Sequence, residues 1–329
     1  MSRARAELWN ILAAGPIFHA IALATRLGIA DLLEGGSRSA DDLARATRTD
    51  PESLYRFLRA LASEGVFAEK PTRRFALTPV SRLLTTAAPG SMRSVAVLAG
   101  ERWRMAWYDL EHAVRTGRPA FDRLYGSSFY EWLRDEPEAA LRFEEAQRFK
   151  WQTLAEEVAA AYDFSGASRI VDVGGGSGLL LEAILERAPD ATGTLVEAPV
   201  IAAEAKRRLG PRCEVIEGDF LQAVPKGGDV YVLAFVLHNW DDRRATRILR
   251  NCRRAMTPGG RVLVVETLLP TAPAKLHDLE MLVFMAGGRE RSRAEYRALF
   301  AAAGLKPGRV VPTPSSASVL TAKQIRSSQ

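Results

Sequence analysis

The chain of 329 residues has few of the side chains from which metal centres and disulfide frameworks are built. It contains two cysteines, Cys213 and Cys252, without paired spacing, and four histidines scattered along the sequence. This pattern predicts neither a zinc site nor a disulfide framework, so no metal is expected. Both cysteines are expected to be small buried apolar residues.

Long apolar runs are also missing from the sequence. No segment approaches the roughly 20 apolar residues that span a bilayer, and the start, MSRARAELWN, lacks the apolar core of a signal peptide. The default expectation is a cytoplasmic protein with no membrane partner. The net charge of +6 arises from 45 basic and 39 acidic residues that are mixed along the chain, which indicates a solvated surface rather than a basic stripe.

The length suits two domains. Up to about residue 100, short helical segments precede VFAEKPTRRFALT, which predicts two strands about a turn, and this order is typical of a winged helix-turn-helix. Residues 101–162 are helical and aromatic-rich and are expected to connect this domain to a third segment, residues 163–329. The aromatic connector is expected to bury against another part of the protein.

Strands and helices alternate from residue 169 onward. Strands are predicted at 169–173, 192–196, 213–216, 229–236 and 261–266, with helices that include 199–208 and 241–255, and two last strands near 308–312 and 317–322. Such alternation predicts an α/β fold with a doubly wound, Rossmann-like sheet. Ligands of such sheets bind at the carboxyl ends of the strands.

A glycine-rich turn, VDVGGGSG, follows the first of these strands. It has the form acid-x-Gly-x-Gly-x-Gly through Asp172, Gly174, Gly176 and Gly178, and it does not fit the dinucleotide pattern G-x-G-x-x-G. S-adenosylmethionine suits such a turn, because its amino-acid end can lie on the glycine backbone. Glu197 ends the second strand, where its carboxylate can accept both ribose hydroxyls. A tight turn without a ligand and a dinucleotide site remain as alternatives.

A third strand ends in an acid and an aromatic residue. Asp219 and Phe220 follow it in the segment IEGDF, where they suit the amino group and the ring face of an adenine. The same sequence is also common as a structural turn.

The motifs together make the chain resemble a known family. LATRLGIADLL, VRTGRPAFDRLYG, VDVGGGSG, VLHNWDD, RVLVVETLLP and GGRERS occur in the order found in class I S-adenosylmethionine-dependent small-molecule O-methyltransferases, which include plant caffeic acid and hydroxyindole enzymes and bacterial natural-product tailoring enzymes. The resemblance implies a catalytic domain at 163–329, a connector that contributes to the acceptor pocket, and a homodimer formed through residues 1–100. It further implies S-adenosylmethionine as cofactor, S-adenosylhomocysteine as product, and neither metal nor nucleic acid.

The general base of the family corresponds to His238, in VLHNWDD. From the residues alone, His238 ends the fourth strand, at the edge where ligands bind, and a histidine with a reference pKa of about 6.5 is largely neutral and able to accept a phenolic proton. The resemblance places Glu266 and Glu290 beside it to orient and stabilise the imidazole. A histidine satisfied by its neighbours and two surface ion-pair partners are the alternatives.

The acceptor side is expected in the segment HDLEMLVFMAGG and next to the base. Because the resemblance implies that this segment lines the acceptor pocket, Asp278, Met281 and Met285 are predicted to contact a small aromatic acceptor, with the two methionines four residues apart on one helical face. A core role for the two methionines is the alternative. Asn239 stands where plant members carry Asp. Nothing in the sequence identifies the acceptor.

Two other functions remain open at this stage. Some bacterial relatives keep the cofactor pocket but perform hydroxylation or decarboxylation. The winged helix could instead make the chain a ligand-sensing DNA-binding regulator. However, its predicted recognition helix, PESLYRFLRALASEGVF, carries Arg56 and Arg59 beside Glu52 and Glu64, a poor footprint for phosphates, and its aromatic and leucine content fits a subunit interface better.

Overall fold

The computed structural model describes residues 2–324, without the side chains of residues 13 and 102. The chain forms two compact units. The first comprises residues up to 104 with 145–149, and the second comprises 105–144 with the rest of the chain from residue 150. The division into 1–100, 101–162 and 163–329 stays a prediction.

The first unit consists of helices and a small antiparallel sheet with the strand order β1-β3-β2. Its elements are α1 (Arg3–Arg26), α2 (Ile29–Leu32), β1 (Arg38–Ser39), α3 (Ala40–Thr47), α4 (Pro51–Ser63), β2 (Phe67–Lys70), β3 (Arg74–Leu77), α5 (Pro79–Arg82) and α6 (Arg93–Ala99). Side chains of Ser39 and Asp50 cap α3 and α4 by accepting backbone N–H groups. Leu43, Leu58 and Phe75 are fully buried in its core. Its description as a winged helix stays a prediction.

Helix α1 corrects the expectation that no segment is apolar enough to cross a membrane. Among the described residues it is the one helix whose length and composition would allow this. The reason is that its charges, such as Arg3, Glu7 and Arg26, are confined to its two ends. Apolar side chains of its first half lie 57–72% exposed: Leu8, Trp9, Ile11 and Leu12. Within one chain, therefore, this helix leaves apolar surface uncovered.

The second unit carries the predicted alternation of strands and helices. A 3₁₀ helix (Arg102–Asp109) leads into α7 (Leu110–Thr116), α8 (Ala120–Tyr125), α9 (Phe129–Asp135), α10 (Pro137–Ala161), β4 (Arg169–Val173), α11 (Leu179–Arg187), β5 (Thr192–Glu197), α12 (Pro199–Arg208), β6 (Cys213–Glu217), β7 (Val230–Ala234), a 3₁₀ turn (Leu237–Asn239), α13 (Asp242–Ala255), β8 (Arg261–Leu269), α14 (Ala272–Phe284), β9 (Arg291–Ser292), α15 (Arg293–Ala302), β10 (Leu305–Pro312) and β11 (Ala317–Gln324). The sequence did not predict β1 and β9, because two residues are too few to show a strand pattern.

The large sheet has the strand order β10-β11-β8-β7-β4-β5-β6. Strands β4 to β8 are parallel, whereas β11 pairs antiparallel with β8 and β10. The chain runs outward from β4 through β5 to β6 and then returns to place β7 on the other side of β4. A crevice forms at such a reversal, beyond the carboxyl ends of the strands. The predicted doubly wound α/β fold is confirmed.

Apolar clusters cover both faces of this sheet. Ile170 and Val232 pack in the cluster that includes α11, and Val171 and Leu233 pack in the cluster that includes α13 and α15. Successive residues of the parallel strands are thus buried on opposite faces, which explains why these strands are apolar throughout rather than alternating. The chemically active groups lie where the strands end.

Candidate active site

The turn between β4 and α11 adopts a backbone that favours glycine. Gly174, Gly176 and Gly178 have φ values of +70°, +57° and +79°, in the left-handed region. A Cβ atom on Gly176 would lie 2.8 Å from Oε1 of Glu144, and one on Gly174 would lie 3.3 Å from the Phe220 ring. Both conformation and space therefore favour glycine, and the backbone of Gly174 and Gly176 remains partly accessible to a ligand.

Asp172 lies in β4 directly beneath this turn. Its side chain is fully buried, and within the described part of the chain neither carboxylate oxygen has a hydrogen-bond partner. Burial, followed by the nearby charge of Glu197, raises the pKa of Asp172 to about 7. A buried carboxyl group without donors is costly, and the ammonium group of a ligand would relieve this cost. The amino-acid end of S-adenosylmethionine carries such a group, so the site fits this cofactor.

Two glutamates accept hydrogen bonds from backbone N–H groups at the glycine turn. Glu197, at the end of β5, accepts the backbone N–H groups of Gly176 at 3.0 Å and Ala198 at 2.7 Å. Glu144, from α10, accepts the N–H of Ser177 at 2.7 Å. Burial raises the pKa of Glu197, although its two backbone donors oppose this shift. Sequence reasoning missed Glu144, because it read the surrounding mixed-charge stretch as solvated surface, whereas this side chain is buried.

Asp219 and Phe220 lie in the segment that follows β6. The carboxylate of Asp219 accepts the N–H of Leu221 at 2.9 Å and the side-chain amide of Gln222 at 3.0 Å. The Phe220 ring lies against Gly174. Asp219 thus stabilises its own loop, and its contact with an adenine stays a prediction.

A sharp change of direction brings His238 to the same edge of the sheet. Phe235, directly after β7, has a φ of +53°, which is unusual for a bulky residue and turns the chain into the 3₁₀ segment Leu237–Asn239. The side-chain amide of Asn239 donates to the Phe235 carbonyl at 3.2 Å and closes this turn. Asn239 therefore shapes the backbone that holds His238, and its contact with the acceptor stays a prediction.

Arg291, a fully buried residue of β9, stabilises the turn that carries His238. The guanidinium of Arg291 donates to the carbonyls of Leu237 at 3.0 Å and Trp240 at 2.7 Å and pairs with Asp242 at 2.8 Å. Its five donors and planar shape suit two carbonyls and a carboxylate at once. Sequence reasoning did not identify this arginine, because its carbonyl partners belong to a backbone conformation that no sequence pattern shows.

The imidazole of His238 lies between the two predicted glutamates. Its Nδ1 is 2.9 Å from Oε1 of Glu290 and 3.2 Å from Oε2 of Glu266, and its backbone N–H donates to Oε1 of Glu266 at 3.2 Å. These contacts assign the imidazole proton to Nδ1. In the described residues, no group is hydrogen-bonded to Nε2, which leaves a lone pair available to a ligand.

The three groups have different protonation preferences. Burial lowers the pKa of His238 to about 4, although its hydrogen bond to Glu290 opposes this shift, so the imidazole is neutral at pH 7. Burial alone would raise the pKa of Glu290, but the hydrogen bonds from His238 and His277 outweigh it and hold this pKa at about 2. Burial and the charge of Glu290 raise the pKa of Glu266 well above its usual range. The site thus combines an ionised carboxylate, a neutral imidazole and a second carboxyl group whose pKa is raised.

A second histidine joins this cluster. Nδ1 of His277, on α14, is 2.6 Å from the same Oε1 of Glu290, and its ring lies 5.0 Å from that of His238. Potential ligand atoms of the two histidines and Glu290 all lie within 4.8 Å of one another. The fold therefore brings together groups that are scattered in the sequence, although the carboxylate oxygen already accepts a hydrogen bond from each histidine.

The three residues in and directly after α14 that were predicted to contact the acceptor differ in their surroundings. Asp278 accepts the backbone N–H of Glu290 at 2.8 Å and so helps to position that glutamate. Met281 and Met285 are both buried. The expectation that they share a helical face is wrong, because α14 ends at Phe284 and Met285 is extended, with a φ of −118°. Contact of these three residues with an acceptor stays a prediction.

Tyr130, on α9, was not identified from the sequence. Its ring stacks on Trp240, with centroids 5.9 Å apart and planes at 20°. The protein packed around Tyr130, and then the charges of Glu197, Glu144 and Glu266, raise its pKa, although the residue is 36% exposed. Since the first two carboxylates belong to the glycine turn and the third to the base cluster, Tyr130 lies near both.

Comparisons with known proteins cover nearly the whole chain. Residues 107–306 match the O-methyltransferase domain, and residues 10–87 match the O-methyltransferase dimerisation domain. The chain is 43% identical to a phenazine O-methyltransferase of Lysobacter antibioticus, over 92% of this chain and 91% of that protein. It is 41% identical to a 3-amino-4-hydroxybenzoate 4-O-methyltransferase of Streptomyces cremeus, over 92% and 86% of the two chains.

Solved structures agree with these matches. LaPhzM superposes with a TM-score of 0.94 at 40% identity and covers 98% of this chain and 100% of its own. NcsB1, an O-methyltransferase of neocarzinostatin biosynthesis solved with S-adenosylhomocysteine and 1,4-dihydroxy-2-naphthoic acid, superposes with a TM-score of 0.87 at 34% identity, over 96% and 98%. Human N-acetylserotonin methyltransferase, solved with S-adenosylmethionine, has a TM-score of 0.90 at 25% identity over 98% of both chains.

The matched dimerisation domain includes most of α1, whose exposed apolar residues have no cover within one chain. The chain forms a homodimer through this domain, as the sequence predicted. Its cofactor is S-adenosylmethionine, which the glycine turn and the orphaned carboxyl of Asp172 fit. The chain belongs to the S-adenosylmethionine-dependent O-methyltransferase family.

Proposed function

We propose that the protein transfers the methyl group of S-adenosylmethionine to a phenolic hydroxyl of a small aromatic natural product, with His238 as the general base. One observation carries this proposal. The neutral imidazole of His238 is held through Nδ1 by Glu290, while Nε2 has no partner among the described residues. A general base needs such a fixed and unoccupied nitrogen within reach of the proton that it removes.

The glycine turn and its carboxylates are proposed to hold the cofactor. Gly174, Gly176 and Gly178 would contact its amino-acid end, Asp172 its ammonium group and Glu197 its ribose. When bound, S-adenosylmethionine supplies an electrophilic methyl group, which the acceptor oxygen takes. Asp219 and Phe220 would lie against its adenine.

The acceptor hydroxyl is proposed to donate its proton to Nε2 of His238. The imidazolium that forms is stabilised by the ionised carboxylate of Glu290, whose hydrogen bond to Nδ1 becomes charge-assisted. Glu266 lies 3.2 Å from the same Nδ1 and accepts the backbone N–H of His238, so it would help to hold the backbone that carries the ring. Because the low pKa of His238 keeps the ring neutral in the resting state, the base is ready whenever an acceptor binds. General-base catalysis of this kind contributes about 10²- to 10⁴-fold.

The substrates named for the relatives support an aromatic acceptor. They include 3-amino-4-hydroxybenzoate and 2,7-dihydroxy-5-methyl-1-naphthoate, which are methylated at hydroxyl groups. One relative at 36% identity is a phenazine-1-carboxylate N-methyltransferase. An aromatic ring nitrogen presents a lone pair and needs no base, so the oriented His238 favours a hydroxyl acceptor here. Hydroxylation, decarboxylation and DNA-binding regulation are not favoured, because these relatives are methyltransferases. We also infer a cytoplasmic location, in line with the biosynthetic roles named for relatives.

The test compares His238→Ala with His112→Ala, which alters a histidine on α7 outside the site. Methyl transfer from labelled S-adenosylmethionine to a panel of phenols should fall by about 10²- to 10⁴-fold in His238→Ala and stay unchanged in the control. Calorimetric titration should show that both variants still bind S-adenosylmethionine. Full activity of His238→Ala would refute the assigned role of the histidine.

A further inference from the structure

Lys150 is a cation next to the base that the proposed mechanism does not use. It lies on α10, and its ammonium nitrogen is 3.5 Å from the centroid of the Phe235 ring. The same ring lies 5.7 Å, centre to centre, from the imidazole of His238. A single small aromatic molecule can therefore contact both the ammonium and the base.

The charge of Lys150 is not neutralised by an ion pair within the described part of the chain. The charges that act on it are those of Glu266, Glu290 and Glu280, and burial still dominates and lowers its pKa. Glu290 already accepts hydrogen bonds from two histidines, and Glu280 lies 3.7 Å from Nε2 of His277. Two of the three carboxylates around Lys150 therefore have other partners.

The side chain of Lys150 nevertheless remains accessible to solvent. The surrounding protein disfavours the charged form of Lys150 and lowers its pKa, yet the side chain is not enclosed in the core. Its ammonium is therefore accessible beside an aromatic ring that also lies next to the base. An accessible ammonium with an aromatic face on one side and no ion-pair partner among the described residues is suited to an anionic aromatic ligand.

Resting on the proposed methyl transfer, we propose that Lys150 selects the acceptor class by pairing with a carboxylate, so that the preferred acceptors are hydroxyarene carboxylic acids. The hydroxyl of the acceptor lies at His238, and its carboxylate lies at Lys150. The alternative partner of Lys150 is the carboxylate of the cofactor, which would lie at the glycine turn. The pKa of Lys150 is influenced by the charges of Glu266, Glu290 and Glu280. The two carboxylates that bind the glycine turn instead influence the pKa of Tyr130.

The experiment measures binding of matched acceptors to the full chain loaded with S-adenosylhomocysteine. The probes are 3-hydroxy-2-naphthoate, salicylate and 4-hydroxybenzoate, each beside its carboxamide, which keeps the ring and the hydroxyl but lacks the charge. The proteins are the wild type, Lys150→Met, Lys150→Arg and Lys206→Met, a control that removes an exposed charge from α12. Titration with S-adenosylhomocysteine alone is measured on every protein.

The wild type should bind at least one carboxylate about 10- to 100-fold more tightly than its carboxamide, the range expected for a hydrogen bond to a charged group. Lys150→Met should remove this preference, Lys150→Arg should retain most of it, and Lys206→Met should leave it intact. In turnover, Lys150→Met should raise KM for the carboxylate far more than it lowers kcat.

Three results would overturn the inference. The first is a wild type that binds none of the carboxylates or shows no preference for them over the carboxamides. The second is a preference that survives in Lys150→Met. The third is a Lys150→Met variant that loses affinity for S-adenosylhomocysteine rather than for the acceptor, which would assign the residue to the cofactor. Carboxylate binding without methyl transfer to any phenol would instead count against the proposed function.

Discussion

Replacing Glu290 by glutamine removes one negative charge from the base cluster while preserving its shape and an acceptor oxygen. In the wild type, Oε1 of Glu290 accepts hydrogen bonds from Nδ1 of both His238 and His277, at 2.9 and 2.6 Å. The amide oxygen of the variant can still accept them, so the imidazole should keep its orientation. What is lost is the charge that stabilises the His238 imidazolium when the acceptor proton arrives.

The size of the effect follows from the pKa of Glu290. Its contacts hold this pKa at about 2, against an ordinary value of 4.5, and a difference of about 2.5 units corresponds to roughly 3 kcal/mol. If a similar free energy stabilises the imidazolium during proton transfer, kcat should fall by roughly a hundredfold. Because the pKa is depressed on folding, the same interaction contributes stability above about pH 4.5, and this contribution disappears as the pH falls through about 2. Glu290→Gln should lack this acid-dependent contribution.

The assay is single-turnover methyl transfer from labelled S-adenosylmethionine, with Glu186→Gln as a control that alters an exposed acid on α11. Affinity for the cofactor should be unchanged in both variants, since Glu290 does not contact the glycine turn. Urea unfolding at pH 7 and at pH 3.5 should show a smaller loss of stability on acidification in Glu290→Gln than in the control. A kcat within threefold of the wild type, with cofactor binding intact, would refute the assignment of Glu290 as the stabilising charge.

Other predictions concern the cofactor site and the cluster around the base. Glu197→Ala should weaken S-adenosylmethionine binding by tenfold or more in calorimetry, and an unchanged affinity would exclude this glutamate as a ribose ligand. Gly176→Ala places a Cβ 2.8 Å from Glu144 at a φ of +57°, so it should lower the melting temperature and the cofactor affinity together, whereas Gly210→Ala, where a Cβ meets no atom, should keep the affinity. Dialysis against EDTA should leave methyl transfer unchanged, and activity that is lost and then restored by a divalent ion would mean that the histidine cluster holds a metal.

The sequence was informative wherever function depends on local pattern. The apolar strand before the glycines, the acid at position 172 and Glu197 at the end of the next strand predicted both the fold and the cofactor, because backbone conformation and strand order follow from neighbouring residues. It was less informative about α14, where the four-residue spacing of Met281 and Met285 suggested one helical face, although the helix ends between them. Periodicity does not show the residue at which a helix ends when no capping residue marks it.

By itself, the sequence determined the doubly wound sheet and the glycine turn, and its family motifs predicted His238, Glu266 and Glu290 as site residues, since each lies in a motif or at a strand end. Only the tertiary structure decided that Glu144 supports the turn, that His277 shares Glu290 with the base, and that Lys150 lies over Phe235. These three residues come from α10 and α14, far in sequence from their partners, and a charged residue in a mixed helix looks the same whether it faces water or the active site. The physical reason is that burial and charge pairing depend on which elements pack together, whereas glycine turns and strand ends are specified by adjacent residues.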